Sequence, residues 1–298
     1  MDPRDEEKEE PTNRVKDPAL HLREFVSQLI SHIRKQGSKV FGHEENETVD
    51  YKIAINIPAW WPDDVVSESI VIPTEGPGWK ASTTYVSEPV SSITFFLSKN
   101  KKHTLLSGGT VCVLNMDEDF TTVSDIWLKK TDTTVRITPC LEGCSVHSFG
   151  SSEISGIFRE YLESKLRAEL DFLEEEAEIT YKKIQKISEN FLAFLVKFDG
   201  SKDFKFRLPW SVLDKPDLAI KNGEMTVEAT ALREHVIKKP LGPIVDVLVA
   251  ISKKTSEKVH VLCSGALSGC PYVLQALRQL LSETDRRDRF EVLKVTNG

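Results

Sequence analysis

Apolar residues recur along this chain with two periods, and the changes from one to the other mark its predicted elements. Leu22, Phe25, Val26, Leu29 and Ile33 share one helical face, which Asp17-Pro18 opens as an N-cap followed by proline at the first helical position and Gly37 closes. Ile53, Ile55 and Ile57 then alternate with Lys52, Ala54 and Asn56, predicting a strand over Tyr51–Ile57 with one buried face, ended by Pro58. A helical start at Val65–Ile72 is cut short by Pro73, Gly76, Pro77 and Gly78. Tyr85-Val86 reads as a short strand and Pro89–Leu97 as a compact helix. Val111–Leu114 and Phe120–Leu128 are apolar, β-branched and aromatic runs on either side of Asp117-Glu118-Asp119. They predict a hairpin, followed by a third strand near Val135–Thr138.

Helical spacing returns with Ile154, Ile157, Phe158, Tyr161, Leu162 and Leu166, introduced by Gly150-Ser151-Ser152-Glu153 with Ser151 or Ser152 as N-cap. Helix is expected, with interruptions, through Phe198. Asp199-Gly200 makes a turn into the alternating run Phe204, Phe206, Leu208, which Pro209 stops. Met225, Val227 and Ala229 alternate ahead of a helix from about Ala231 to Lys253, with Pro240 and Pro243 marking its middle or a restart. A very apolar strand, Val259–Cys263, a glycine turn Ser264–Gly269, a helix Tyr272–Ser282 and a strand Phe290–Val295 complete the pattern. Strands alternating with helices in this way predict an α/β architecture.

At 298 residues and 40% hydrophobic composition the chain can bury the core of two domains or of one bilobal unit. A net charge of −7 argues against general nucleic-acid binding, which needs clustered cations. Met1–Lys16 is acidic and almost devoid of apolar residues, so a disordered tail is expected over residues 1–16. Lys182, Lys183 and Lys186, interspersed with Glu174, Glu175, Glu176 and Glu178, read as a solvated helix face. Five cysteines without regular spacing fit a reducing compartment. Cys140 and Cys144 lack partners for a zinc site and read as small buried residues, and no metal is expected. With neither a signal segment nor a bilayer-length apolar run, the chain is expected to be cytoplasmic and not membrane-bound.

Candidate chemistry is sparse. Val261–Tyr272 has the layout of a strand running into a glycine loop that opens a helix, where free amides and the helix dipole favour an anion. Neither common phosphate-loop pattern is present in it. The seven histidines show no H-x-x-x-H or triad context and read as surface residues, and Ser107 does not sit in a nucleophile elbow. Asp117-Glu118-Asp119 lacks the alternate ligands and central glycine of a calcium loop and reads as a solvated turn.

The order of these pieces resembles the nucleotide-binding domain of the heat-shock chaperones of the seventy-kilodalton class, in the actin-like ATPase superfamily, and looks most like its divergent eukaryotic branch. Ile57-Pro58-Ala59-Trp60 stands where the family has Val-Pro-Ala after a strand, and Ser87-Glu88-Pro89 where it has Asn-Glu-Pro before a small-residue helix. Gly150-Ser151-Ser152 with Phe158 is similar to its glycine-serine turn and helix, Phe198-Asp199-Gly200 with Asp203-Phe204 to a motif of the divergent branch, and Ser264–Tyr272 to its adenosine loop. The likeness spans nearly the whole chain after the tail.

The resemblance implies a bilobal actin-like ATPase fold of ribonuclease H-like lobes, incomplete at both ends: a partial first lobe over 17–108 and a second lobe over 109–298 with an insertion at about 160–240. The family's first phosphate hairpin has no counterpart before the Pro18 helix. Its second, Asp-x-Gly-Gly-Gly-Thr, falls with Asp at Asn115, the glycines at Asp117, Glu118 and Asp119, and Thr at Phe120 or Thr121. The Lys-Arg-Ser run of the adenosine clamp is replaced by Leu195-Val196-Lys197. The implied nucleotide site is therefore degenerate: Asn115, Thr121, Gly150, Ser151, Gly265 and Ser268 stand at cofactor positions, and Glu88 is the catalytic carboxylate retained. The expectation is a pseudo-ATPase without cofactor, acting through protein partners by self-association or on a related chaperone. Two alternatives stay open: an active chaperone-like ATPase taking ATP with magnesium, completed by a partner or by sequence lying elsewhere, and an unrelated α/β interaction module.

Overall fold

The computed structural model describes residues 18–41, 52–71, 82–101, 103, 105, 108–131, 134–170, 177–208 and 214–295. The acidic tail, the Pro73–Gly78 breaker, Ser107, Glu174–Glu176, Pro209 and the side chain of Cys140 lie outside them. The chain divides into two compact units, Met1–Ser87 and Glu88–Gly298.

In the first unit, helix α1 (Pro18–Phe41) precedes strand β1 (Lys52–Ile57), the short helix α2 (Asp63–Val66) with a π turn at Ser67–Val71, and strand β2 (Ser82–Ser87). β1 and β2 pair in parallel, Lys52 with Ser82 through Ile57 with Ser87. α1 runs past Gly37, since one glycine costs a helix only about 1 kcal/mol. The expected apolar face is only partly used. Val26 and Ile30 are buried with Ile57 and Ile70, whereas Phe25, Leu29 and Ile33 remain 60%, 44% and 39% exposed.

The second unit is built on a five-stranded mixed sheet. Helix α3 (Glu88–Lys99) leads to β3 (Gly109–Met116), β4 (Thr121–Lys130) and β5 (Val135–His147), the predicted antiparallel meander. The third strand is longer than Val135–Thr138 and has a register shift opposite Ser124/Ile126. After the helices comes β9 (Val259–Ser264), then helix α8 (Pro271–Ser282) and β10 (Phe290–Lys294). The order across the sheet is β10-β9-β3-β4-β5, with β10, β9 and β3 mutually parallel. Between β5 and β9 lie helices α4 (Ser151–Leu170) and α5 (Ala177–Leu195), then a small antiparallel sheet of β6 (Phe204–Arg207), β7 (Ile220–Lys221) and β8 (Glu224–Val227) in the order β6-β8-β7. A short helix α6 (Ala229–Ala231), a π turn at Leu232–Lys238 and helix α7 (Lys239–Lys254) follow. The wide turn lies just before Pro240, which has no N–H to donate to a regular helix.

The period of two in β3 feeds two cores. Cys112, Leu114 and Met116 point to one face, packed with Ile154, Phe158 and Leu162 of α4, Phe191 of α5 and Leu248 of α7. Val111 and Val113 point to the other face, with Ile126 and Leu262 of neighbouring strands and Ile93 and Phe96 of α3. Both faces are covered, which is why β3 and β9 read as continuous apolar runs.

Candidate functional site

β3 and β9 lie side by side and parallel, but the chain leaves β3 toward β4 on one side and leaves β9, through α8, toward β10 on the other. In α/β sheets the crevice outside the carboxyl ends of two such strands is the place where ligands bind. Asn115 pairs in register with Ser264 at that point. Strand alternation turns both onto the α3 face: Asn115 shares it with Val111 and Val113, and Ser264 with Leu262. α3 covers that face and begins with Glu88, so three sequentially distant polar residues converge.

The Asn115 amide is fully engaged. Its Nδ2 donates to Glu88 Oε1 and to Asp117 Oδ2, both at 2.6 Å, and its Oδ1 accepts from Ser264 Oγ at 3.2 Å. Ser264 Oγ also reaches Leu114 O at 3.3 Å. Burial, and then the charge of Asp117, push the Glu88 carboxyl above its ordinary value. One amide thus holds two carboxylates in a half-buried place, an arrangement suited to a cation or a proton rather than a phosphate.

Gly265 follows with φ +83°, and a Cβ there would stand 2.5 Å from Met116 O and 2.7 Å from Asn115 Oδ1. Glycine is required because the β9 loop presses its backbone onto the end of β3. The loop's polar groups turn back on the chain: Ser268 Oγ donates to Gly265 O at 2.7 Å, and the Tyr272 amide to Phe198 O at 3.0 Å.

The β3–β4 turn is held from a third side. Ser151 N–H donates to Asp117 O at 3.2 Å, Ser152 N–H to Glu118 O at 2.8 Å, and Ser152 Oγ to Asp119 Oδ1 at 3.0 Å. The first amides of α4 are therefore spent on the acidic turn. Gly150 permits the approach, because a Cβ on it would run into the Glu118 carbonyl and the Asp119 backbone. The helix starts at Ser151, so neither serine is a side-chain N-cap as the sequence suggests; Ser152 bonds the turn instead. Thr121 Oγ1, wholly buried, donates to Phe149 O at 2.5 Å.

Of the residues singled out from the sequence, Glu88, Asn115 and Gly265 come together, Thr121, Gly150 and Ser151 fix the hairpin turn to α4, and Ser268 closes its own loop. Asp117 and Ser264 were missed as members of the cluster; the parity of Asn115 and Ser264 at the ends of two apolar strands was the available signal. Two minor expectations are corrected. Cys144 is exposed, being near the end of an edge strand, and His260 is buried, its Nδ1 3.0 Å from Glu291 Oε2. Burial lowers the pKa of His260 despite that carboxylate. Among the described residues no group of three or more His, Cys, Asp or Glu is placed to hold a metal ion, and no helix is long and apolar enough to cross a membrane. A cleft of about 740 Å³, lined by Gly109, Trp127, Lys130, Lys258, His260 and Glu291, lies at the opposite, amino-terminal ends of β3 and β9.

No protein-family model matches the chain, and no curated protein aligns with it.

Proposed function

We propose that this is a heat-shock-protein-70-like chain with an actin-like ATPase fold whose nucleotide site is degenerate, a pseudo-ATPase that works through protein interaction in the reducing cytoplasm. The strand order and directions of the second unit, counted from β3 as 3-2-1-4-5 with the second strand reversed, support a ribonuclease H-like lobe. The buried thiols of Cys112, Cys263 and Cys270 suit a reducing compartment, with Cys263 pushed by burial up to about 12.

The observation that carries the reading is the acidic turn at the switch point. Glycines there would let backbone amides meet a phosphate; Asp117, Glu118 and Asp119 bring three carboxylates, and the nearest helix amides are already donated to the turn. At ~5 Å and an effective dielectric of ~20, each carboxylate–phosphate pair costs about 3 kcal/mol. Three such pairs, about 10 kcal/mol together, outweigh micromolar binding, worth roughly 8 kcal/mol, and two cancel most of it. Glu88, the retained carboxylate, is tied to Asn115 beside Asp117 rather than free to orient water. Isothermal titration with ATP and magnesium tests this: the expected result is no measurable heat and no rise in melting temperature at millimolar nucleotide. Submicromolar binding, or turnover abolished by Glu88→Ala, overturns it.

A further inference from the structure

The chain carries a net charge of −7, yet one corner of the second unit gathers cations around an exposed indole. Trp127, near the end of β4, is 56% exposed. It lines both the cleft of about 740 Å³ at the amino-terminal ends of β3 and β9 and a second hollow of about 390 Å³, which it shares with Lys129, Arg136 and Thr138. Strand register makes the group. Thr110 and Cys112 of β3 stand opposite Trp127 and Asp125 of β4, so Trp127 and Lys129 project on the Cys112 side of the sheet. In β5, Thr138 stands opposite Trp127 and Arg136 opposite Lys129, and all four residues are exposed. Lys130 and Lys258 add two more cations along the cleft. Among the described residues, no hydrogen bond, ion pair or ring contact engages the side chains of Trp127, Lys129, Lys130 or Arg136.

We propose that this corner docks a short, extended acidic segment of a partner protein, which lays an aromatic side chain on Trp127 and sets a carboxylate two residues further along between Lys129 and Arg136. The spacing fits. Alternate residues of an extended chain are roughly 6.5–7 Å apart on one face, and Trp127 and Lys129 are themselves alternate residues of one strand. Trp127 offers a large, stiff surface for a ring to stack on. The Arg136 guanidinium presents two parallel N–H donors to a carboxylate, and Lys130 and Lys258 are left for a further one.

Charge decides the class of partner. An acidic segment supplies the counter-charges that Lys129, Lys130 and Arg136 lack within the chain, whereas a small anion would leave Trp127 unused. A nucleic-acid strand needs a longer cationic track, and here Glu257 and Glu291 line the same cleft, Glu291 already 3.7 Å from Lys258. Those two carboxylates limit the acidic run to a few residues. The cations are exposed and therefore screened by salt, so binding should weaken as ionic strength is raised.

This rests on the protein-interaction half of the proposed function and deepens it; ATP titration at the switch point reads the other half, so either can fail alone. The probe is the synthetic peptide acetyl-Phe-Gly-Asp-Glu-Asp-Glu-amide, titrated into the full chain isotope-labelled on its tryptophans. A dissociation constant of about 10–100 μM is expected, with the Trp127 indole signal, assigned through Trp127→Phe, moving most. Affinity should fall at least about threefold between roughly 50 and 300 mM sodium chloride. Trp127→Ala should weaken binding about fivefold or more, and Lys129→Glu with Arg136→Glu about tenfold or more, with unchanged melting temperatures because all three positions are exposed. Replacing the peptide's phenylalanine by alanine tests the same contact from the partner's side and should match the Trp127→Ala loss; replacing its acids by lysine should abolish binding. No binding up to about 1 mM overturns the proposal, as does binding indifferent to Trp127→Ala or to the charge reversal, or a lysine peptide that binds equally well. Oligothymidylate binding more tightly than the peptide at these residues would overturn it too, and make the corner a nucleic-acid site.

Discussion

The two units apply the same amphipathic pattern to different amounts of covering structure. In the second, α4 buries Ile154, Phe158, Leu162 and Leu166 completely, because α5, the five-stranded sheet and the small β6–β8 sheet enclose that side. In the first, α1 has an apolar arc at least as wide but, among the described residues, only two strands, the short helix α2 and a π turn to set it on, and Phe25, Leu29 and Ile33 stay exposed. Sequence periodicity therefore specifies which residues want burial; how many obtain it depends on the layers the rest of the chain supplies.

The largest effect that separates the units should come from their cores. Phe191 is wholly buried, stacked on Phe158 with ring centroids 4.0 Å apart and edge-on to Phe204. Phe191→Ala should cost about 3–5 kcal/mol, read as a lower urea midpoint, with lost amide protection in α4, α5 and β6. Val26→Ala in α1 removes fewer atoms from a shallower site and should cost about 1.5 kcal/mol or less. Equal losses would mean that the first unit is as tightly enclosed as the second.

The next comparison sets the residue before α4 against one inside it. A Cβ on Gly150 meets the backbone of the acidic turn, which can move only by pulling the turn off the helix. Gly150→Ala should cost about 1–3 kcal/mol. Gly156, inside the helix, has nothing within 4 Å of the same atom, so Gly156→Ala should gain up to about 1 kcal/mol from helix propensity. Thermal melts of the two variants decide the matter. A Gly150→Ala protein as stable as the parent would show that α4 does not need to approach Asp117–Asp119 closely.

The long elements were legible because they repeat a pattern: the hairpin around Asp117–Asp119, the Ser151 helix and the Val259–Ser264 strand all fall where periodicity puts them. What was not legible depends on contacts remote in sequence. Nothing in Phe25, Leu29 and Ile33 distinguishes them from Val26 and Ile30 until the width of the sheet beneath is known. Apolar periodicity does not mark the short strand β7, although Asn222-Gly223, both with positive φ, is a strong hairpin signal between Lys221 and Glu224. The cluster at the switch point was half visible. In the sequence Glu88, Asn115 and Gly265 stand out only through a resemblance, and Asp117 reads as part of a solvated turn; only the structure joins its carboxylate to the Asn115 amide.

The smallest effect tests that cluster. Glu88 has its carboxyl pKa raised above 4.5 by burial first and by Asp117 second. A carboxyl whose pKa is higher folded than unfolded holds its proton more tightly in the folded state, so ionising it works against folding. The penalty is absent below the unfolded value, grows as the pH rises through the interval between the two values, and is complete above the folded one. Glu88→Gln keeps an oxygen for the Asn115 amide and removes the charge. It should therefore raise the melting temperature at pH 7 by about 1–2 °C, equivalent to about 0.5 kcal/mol, and leave it unchanged at pH 3. Asp117→Asn separates the two causes: in a carbon-detected titration the Glu88 carboxyl should move back toward 4.5 without reaching it, because burial, the larger cause, remains. A full return would make the Asp117 charge the dominant influence, and no movement would mean that the two carboxylates do not share the Asn115 amide in solution.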